Sequence, residues 1–273
     1  MNASIYPATL ALAASLLTST AYLAAQTASG PGTERTARQQ QQHQQHRRGP
    51  KKFMLSNGEG AVIKVWKPDL TPLPLQVEQG SITLPRTGVD NYHALVVEKD
   101  WGDLKEVLIR YEYMHGKPSG HSTSELTAAE KTAFEIVPDP VPREHQHYLS
   151  DQTWNFSLRF KGTPAVGIPV TLTASHGTKV DSISDSRGRV SLHIPDDFPG
   201  LKAGERDRRT AEFGISAELT DAEVTYQTLL SAEYRVNPSH WQSFGLGATV
   251  TGIGMLAGLF IGRIGRTDSR RKS

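Results

Sequence analysis

Two pairs of histidines carry most of the chemistry that this sequence offers. In "PREHQHY", His145 and His147 stand two residues apart. On an extended segment both imidazoles project to one side, while Glu144 points to the other. In "MHGKPSGH", His115 and His121 flank a Gly/Pro loop that can bring them together. Neutral imidazole is a good ligand for nickel, cobalt or zinc, so these four residues are the candidate metal site. The same histidines also read as solvated loop residues, and "PDPVPREHQHY" as an interdomain linker. The chain has no cysteine, so any metal site uses nitrogen and oxygen ligands alone, and no disulfide can form.

Other chemistry is missing. There is no G-x-S-x-G elbow, P-loop, dinucleotide-type glycine fingerprint or HExxH helix. Ser119 lies near glycines in the wrong spacing for a nucleophile. Asp181 and Asp185 precede Gly188, but Ile183 and Arg187 occupy positions where a calcium loop needs oxygen ligands. Residues 185–188 read instead as the turn of a β-hairpin. The expectation is a protein that is not an enzyme. A net charge of +2 and 37% hydrophobic residues exclude a strongly basic nucleic-acid binder.

The elements that must position these residues are short strands. In "WNFSLRF", Trp154, Phe156, Leu158 and Phe160 alternate with polar residues, as on a half-buried strand. Val190, Leu192 and Ile194 repeat the pattern, and so do Phe213, Ile215, Ala217 and Leu219. The segments 60–66, 92–100, 105–113 and 132–138 are also strand-like, and residues 124–132 suit a short helix with Ser124 as N-cap. The expected fold is mainly β, with an antiparallel Ig-like β-sandwich region. Two β subdomains are expected, a first over residues 53–138 and a second over 139–238.

The two ends predict a compartment. Residues 3–25 are apolar or small with no charge, so that residues 1–25 resemble a signal peptide. Residues 26–52 form a Gln/His-rich tether with too little apolar surface to order, including His43 and His46. Residues 244–262 run for 19 positions without a charge, which spans about 28 Å as a helix. With Trp241 at the entrance, the transmembrane helix is expected over 241–263, followed by a basic tail over 264–273. Arg263, Arg266, Arg270, Arg271 and Lys272 make that tail cytoplasmic by the positive-inside rule. The expected location is therefore the bacterial inner membrane, crossed once, with the β region in the periplasm. Gly254, Gly258 and Gly262 share one helix face, where a transporter or receptor subunit can approach.

From residue 134 to 195 the chain resembles a bacterial periplasmic family of unknown function labelled NikM-like. The residues that carry the resemblance are Phe134 to Pro138, then Gly162, Pro164, Gly167 and Val170, then Asp185, Gly188, Val190, Leu192 and Ile194. These are turns and core strands, so the resemblance implies a fold and a periplasmic role in nickel or cobalt uptake. It carries no ligand residue. Two functions are open: an accessory binding component for transition-metal uptake, or an interaction module that docks a receptor or transporter without a small-molecule site.

Overall fold

Strands dominate the computed structural model, which describes residues 50–56, 58–144 and 146–242. In the first part lie β1 (Lys51–Met54), β2 (Val62–Trp66), β3 (Pro72–Leu75), β4 (Ser81–Leu84), β5 (Val89–Asp100), β6 (Leu104–Met114) and β7 (Lys117–Pro118). A short helix, α1 (Thr123–Ala128), leads to β8 (Phe134–Pro138) and β9 (Tyr148–Leu149). The chain continues with β10 (Gln152–Phe160), β11 (Thr163–Pro164), β12 (Pro169–Ala174), β13 (Lys179–Ile183) and β14 (Arg189–Ile194). Two long strands, β15 (Thr210–Asp221) and β16 (Val224–Arg235), end at a 3-10 turn over Pro238–His240. The expected mainly β class holds.

The largest sheet runs β13-β12-β15-β16-β6-β5-β2-β3, with β7 and β9 attached. A smaller sheet places β10 between β8 on one edge and β14 with β11 on the other. Phe134, Ile136, Phe156, Leu158, Val190 and Leu192 from the small sheet share one core with Val170, Leu172, Phe213, Ile215 and Leu230 from the large one. The alternation in "WNFSLRF" thus serves its expected purpose: Phe156 and Leu158 are buried, and Trp154 and Phe160 pack at the margin.

Not every pairing is antiparallel. β16 runs parallel to β6, from Thr225 opposite Leu104 to Ser231 opposite Arg110. All of β8 pairs with β10. Strands on the two sides of residue 138 are therefore hydrogen-bonded in both sheets. β5 is buried on both faces from Tyr92 to Val97. Leu95 and Val97 pack with Ile82 and Leu84 of the β1–β4 pair, whereas Tyr92 and Ala94 lie against Leu126 of α1. Lys51 and Lys52, expected in the tether, are the first residues of β1.

Two local expectations are corrected. The N-cap of α1 is Ser122, not Ser124, because Ser122 and Glu125 form a reciprocal capping box. Residues 185–188 do form a tight turn, in which Asp185 Oδ1 accepts from the backbone N–H groups of Arg187 and Arg189, both at 2.8 Å. It joins β13 in the large sheet to β14 in the small one, so it turns a corner between sheets and closes no hairpin. Gly188 sits at φ +69°, where a Cβ would lie 2.6 Å from the Leu158 carbonyl oxygen. Gly188→Ala is expected to lower stability by about 1–3 kcal/mol, seen as a lower urea midpoint. An unchanged midpoint would show that the corner can relax.

Among the described residues no helix is long and apolar enough to cross a membrane. The expected span from residue 243 onward, with Gly254, Gly258 and Gly262, lies outside the described residues, as do residues 1–25 and nearly all of the tether.

Candidate functional site

Three chain segments converge where β5 begins. The turn after β6 lies directly on Gly88: a Cβ on Gly116 would meet the Gly88 carbonyl carbon and oxygen at 2.2 Å. Only glycine permits that approach. Lys117 N–H donates to the Gly88 carbonyl at 2.8 Å, and β7 pairs with Val89 and Asp90. This contact sets His115 beside Asp90.

Asn91 holds the rest of the loop. Its backbone is at φ 134°, a conformation non-glycine residues seldom adopt, and its side chain compensates with several hydrogen bonds. Asn91 Oδ1 accepts from the Tyr92 backbone N–H at 2.7 Å and from Thr123 Oγ1 at 2.8 Å. Asn91 Nδ2 donates to the His121 carbonyl at 2.8 Å. The third segment follows β8. Gln146 N–H donates to the Arg143 carbonyl at 2.9 Å, closing a turn, while Val141 anchors the segment in the core beside Tyr92 and Leu126.

One ligand atom each from Asp90, His115 and Glu144 lies within 4.8 Å of the other two. His115 Nδ1 is 3.9 Å from Asp90 Oδ1. Tyr113 OH donates to the other oxygen, Oδ2, at 2.8 Å. That bond fixes the carboxylate's orientation and turns Oδ1 toward the histidine, the kind of outer-shell support that metal ligands commonly have. The His115 ring also packs edge-on to Tyr113, with centroids 5.3 Å apart. Burial first, then the hydrogen bond to Asp90 and the charges of Asp90 and Glu144, push the Tyr113 phenol above its usual range. It stays a proton donor.

Of the four histidines proposed from the sequence, the three that lie among the described residues have different surroundings. His115 belongs to the carboxylate cluster. His121 Nδ1 instead meets Glu125 Oε2 at 2.9 Å beside the helix cap. His147 lines a separate groove beside β9, and His145 lies outside the described residues. A fully extended segment would send Glu144 away from the histidines. The turn over residues 143–146 removes that alternation and brings Glu144 to His115. Asp90 has no local signal, since its partners come from distant segments. His93 is a core histidine: fully buried, it lies 2.8 Å from Thr87 Oγ1 and 3.1 Å from the Asn91 carbonyl. Its burial lowers the imidazole pKa.

The groove encloses about 660 Å³ between β9, β10 and the end of β16. Trp154, Trp241, Arg206, Arg208, Arg235 and His147 are among its walls. Gly204 N–H donates to the Trp241 carbonyl at 2.7 Å, tying the arginine-bearing loop to the end of the described chain. Asn237 Nδ2 donates to the Ser150 carbonyl at 3.1 Å and fixes the exit of β16.

No family model matches the chain, and no curated protein matches it. Among solved structures, one similar chain is a Ca2+-stabilized adhesin that helps an Antarctic bacterium reach out and bind ice. The identity is 15% and the TM-score 0.26, over 68% of this chain and 43% of that one. The chain thus spans less than half the length of that neighbour, and a likeness at that TM-score bears on neither fold nor function.

Proposed function

We propose that this chain is a periplasmic β-sandwich protein of Ig-like type that binds a divalent transition-metal ion through Asp90, His115 and Glu144. In this reading a C-terminal helix holds it to the inner membrane, and it serves as an accessory component of nickel or cobalt uptake. The observation that carries the reading is the convergence of the three ligand atoms within 4.8 Å. One imidazole and two carboxylates form a nitrogen and oxygen set suited to nickel, cobalt or zinc. Structural zinc sites are closed by four protein ligands, whereas three ligands leave positions open to water or to a partner's ligand. His115 is 76% exposed and Asp90 32%, so an ion held here remains exchangeable, as cargo must be. The uncharged run over residues 244–262 and the resemblance to the NikM-like family support the compartment.

Isothermal calorimetry with nickel or zinc on the full chain in neutral detergent tests the site. His115→Ala is expected to abolish binding, and Tyr113→Phe to weaken it by about 10–100-fold through the freed Asp90 carboxylate. His121→Ala should bind as the parent does. Acidification should weaken binding, because imidazole coordinates in its neutral form. Undiminished binding by His115→Ala would overturn the assignment. No binding by the parent at millimolar metal would favour the interaction module instead.

A further inference from the structure

We propose that the groove between β9, β10 and the end of β16 binds the phosphodiester headgroup of an anionic phospholipid, at the point where the chain enters the bilayer. The placement at the bilayer rests on the proposed membrane anchor; the ligand's chemistry rests on the groove itself. Its walls carry three arginines against a single carboxylate. Arg206 and Arg208 are exposed and make no ion pair among the described residues. Arg235 donates from Nε and Nη2 to Glu233 Oε1 on its own strand, both at 3.4 Å. The rings of Trp154 and Trp241 line the groove, with their indole N–H groups turned away from solvent. Asp207, the one carboxylate in the walls, is engaged by Arg209 at 2.8 Å.

A ligand that answers three guanidinium groups is anionic and rich in oxygen acceptors. Guanidinium forks match phosphate in charge and geometry. The chain's own flanking segments are unsuitable. Residues 26–52 carry Arg35, Arg38, Arg47, Arg48, Lys51 and Lys52 against Glu34 alone. The tail carries Arg266, Arg270, Arg271 and Lys272 against Asp268. Both would be repelled. Position selects the source of the phosphate. Trp241 precedes the uncharged run by three residues, a reach of about 10 Å at most. A tryptophan at that depth belongs to the aromatic belt, and arginines there face the headgroups of anionic lipids. The groove's volume suits a headgroup-sized ligand.

The test uses the full chain in neutral detergent micelles and follows tryptophan fluorescence. Dihexanoyl-phosphatidylglycerol should titrate saturably and lose affinity with added salt, whereas dihexanoyl-phosphatidylcholine should give no saturable change. Arg206→Ala combined with Arg208→Ala should weaken phosphatidylglycerol by about tenfold or more, because charge-assisted bonds are lost; both positions are exposed, so the fold should survive. Equal affinity for inorganic phosphate would overturn the lipid assignment, and tighter binding of polygalacturonate would assign the groove to acidic glycans. Alkaline carbonate washing of membranes separates the two proposals. A chain that stays in the membrane but does not titrate with phosphatidylglycerol refutes the groove alone. One that washes out yet titrates refutes the anchor alone, and the lipid site stands.

Discussion

Phe156→Ala is expected to cost about 3–5 kcal/mol, more than any other truncation on β10. Its ring is fully buried at the middle of the shared core. It lies 6.2 Å from Tyr148 in a stacked arrangement and 6.5 Å from Phe213 edge-on. Those neighbours come from β9 and β15, so the ring joins the small sheet to the large one. Phe156, like the neighbouring Ser157, also pairs on both edges of β10, with Val190 of β14 and with Pro138 of β8. Removing the ring deletes its transfer energy, and the two hydrogen-bonded edges hinder collapse into the space. Thr153→Ala, at an exposed position of the same strand, should change stability by no more than about 0.5 kcal/mol. The measurement is the urea midpoint of each variant at constant m-value. A loss below about 1 kcal/mol for Phe156→Ala would mean that the sheets do not share this core.

That residue is legible in the sequence because period-two alternation survives wherever one sheet face is solvated. β10, β14 and β15 all show it, and their inward residues are those the alternation selects. β5 does not, since the β1–β4 pair covers one face and α1 with the small sheet covers the other. A strand buried on both sides reads as a plain apolar run. β3 is a different case. Its sequence, Pro72-Leu73-Pro74-Leu75, argues against a strand anywhere except a sheet edge, where the structure puts it. The parallel ladder between β6 and β16 is not legible, because a register between distant segments leaves no local pattern. The metal cluster has the same difficulty. His115 announces itself by residue type, but Asp90 and Glu144 are ordinary surface carboxylates until Gly116 and the turn over residues 143–146 bring them together. The helix cap is legible after all, since the S-x-x-E spacing from Ser122 to Glu125 is a sequence-level signature that Ser124 lacks.

Glu135→Leu is expected to cost about 3–5 kcal/mol, most of it regained when Lys131→Met is added. Glu135 and Lys131 face each other at 3.4 Å, with side chains only 1% and 0% exposed. Lys131 Nζ also donates to the carbonyls of Leu126 at 3.0 Å and Ala129 at 2.6 Å, and it lies 5.7 Å over the Tyr111 ring. It thereby ties the end of α1 to β8. Burial opposes both charges: it lowers the Lys131 pKa and raises that of Glu135, and the pair's mutual attraction only partly offsets this. The folded chain keeps the Glu135 proton to higher pH than the unfolded one. Its contribution to stability is therefore greatest below the ordinary carboxyl value of 4.5 and is lost as pH rises through the folded pKa. The buried pair is a costly arrangement held together by mutual compensation. Removing Glu135 alone leaves the ammonium buried beside the Arg159 guanidinium with no counterion. Removing both charges leaves an apolar contact, and Arg159, which loses its 2.9 Å contact with Glu135, retains the carbonyls of Thr127 at 2.8 Å and Ala128 at 2.7 Å. Urea unfolding of the two single variants and the double variant yields the coupling directly. Strict additivity of the two losses would show that Lys131 and Glu135 do not compensate each other, and that α1 is fastened by the carbonyl contacts of Lys131 and Arg159 without help from the ion pair.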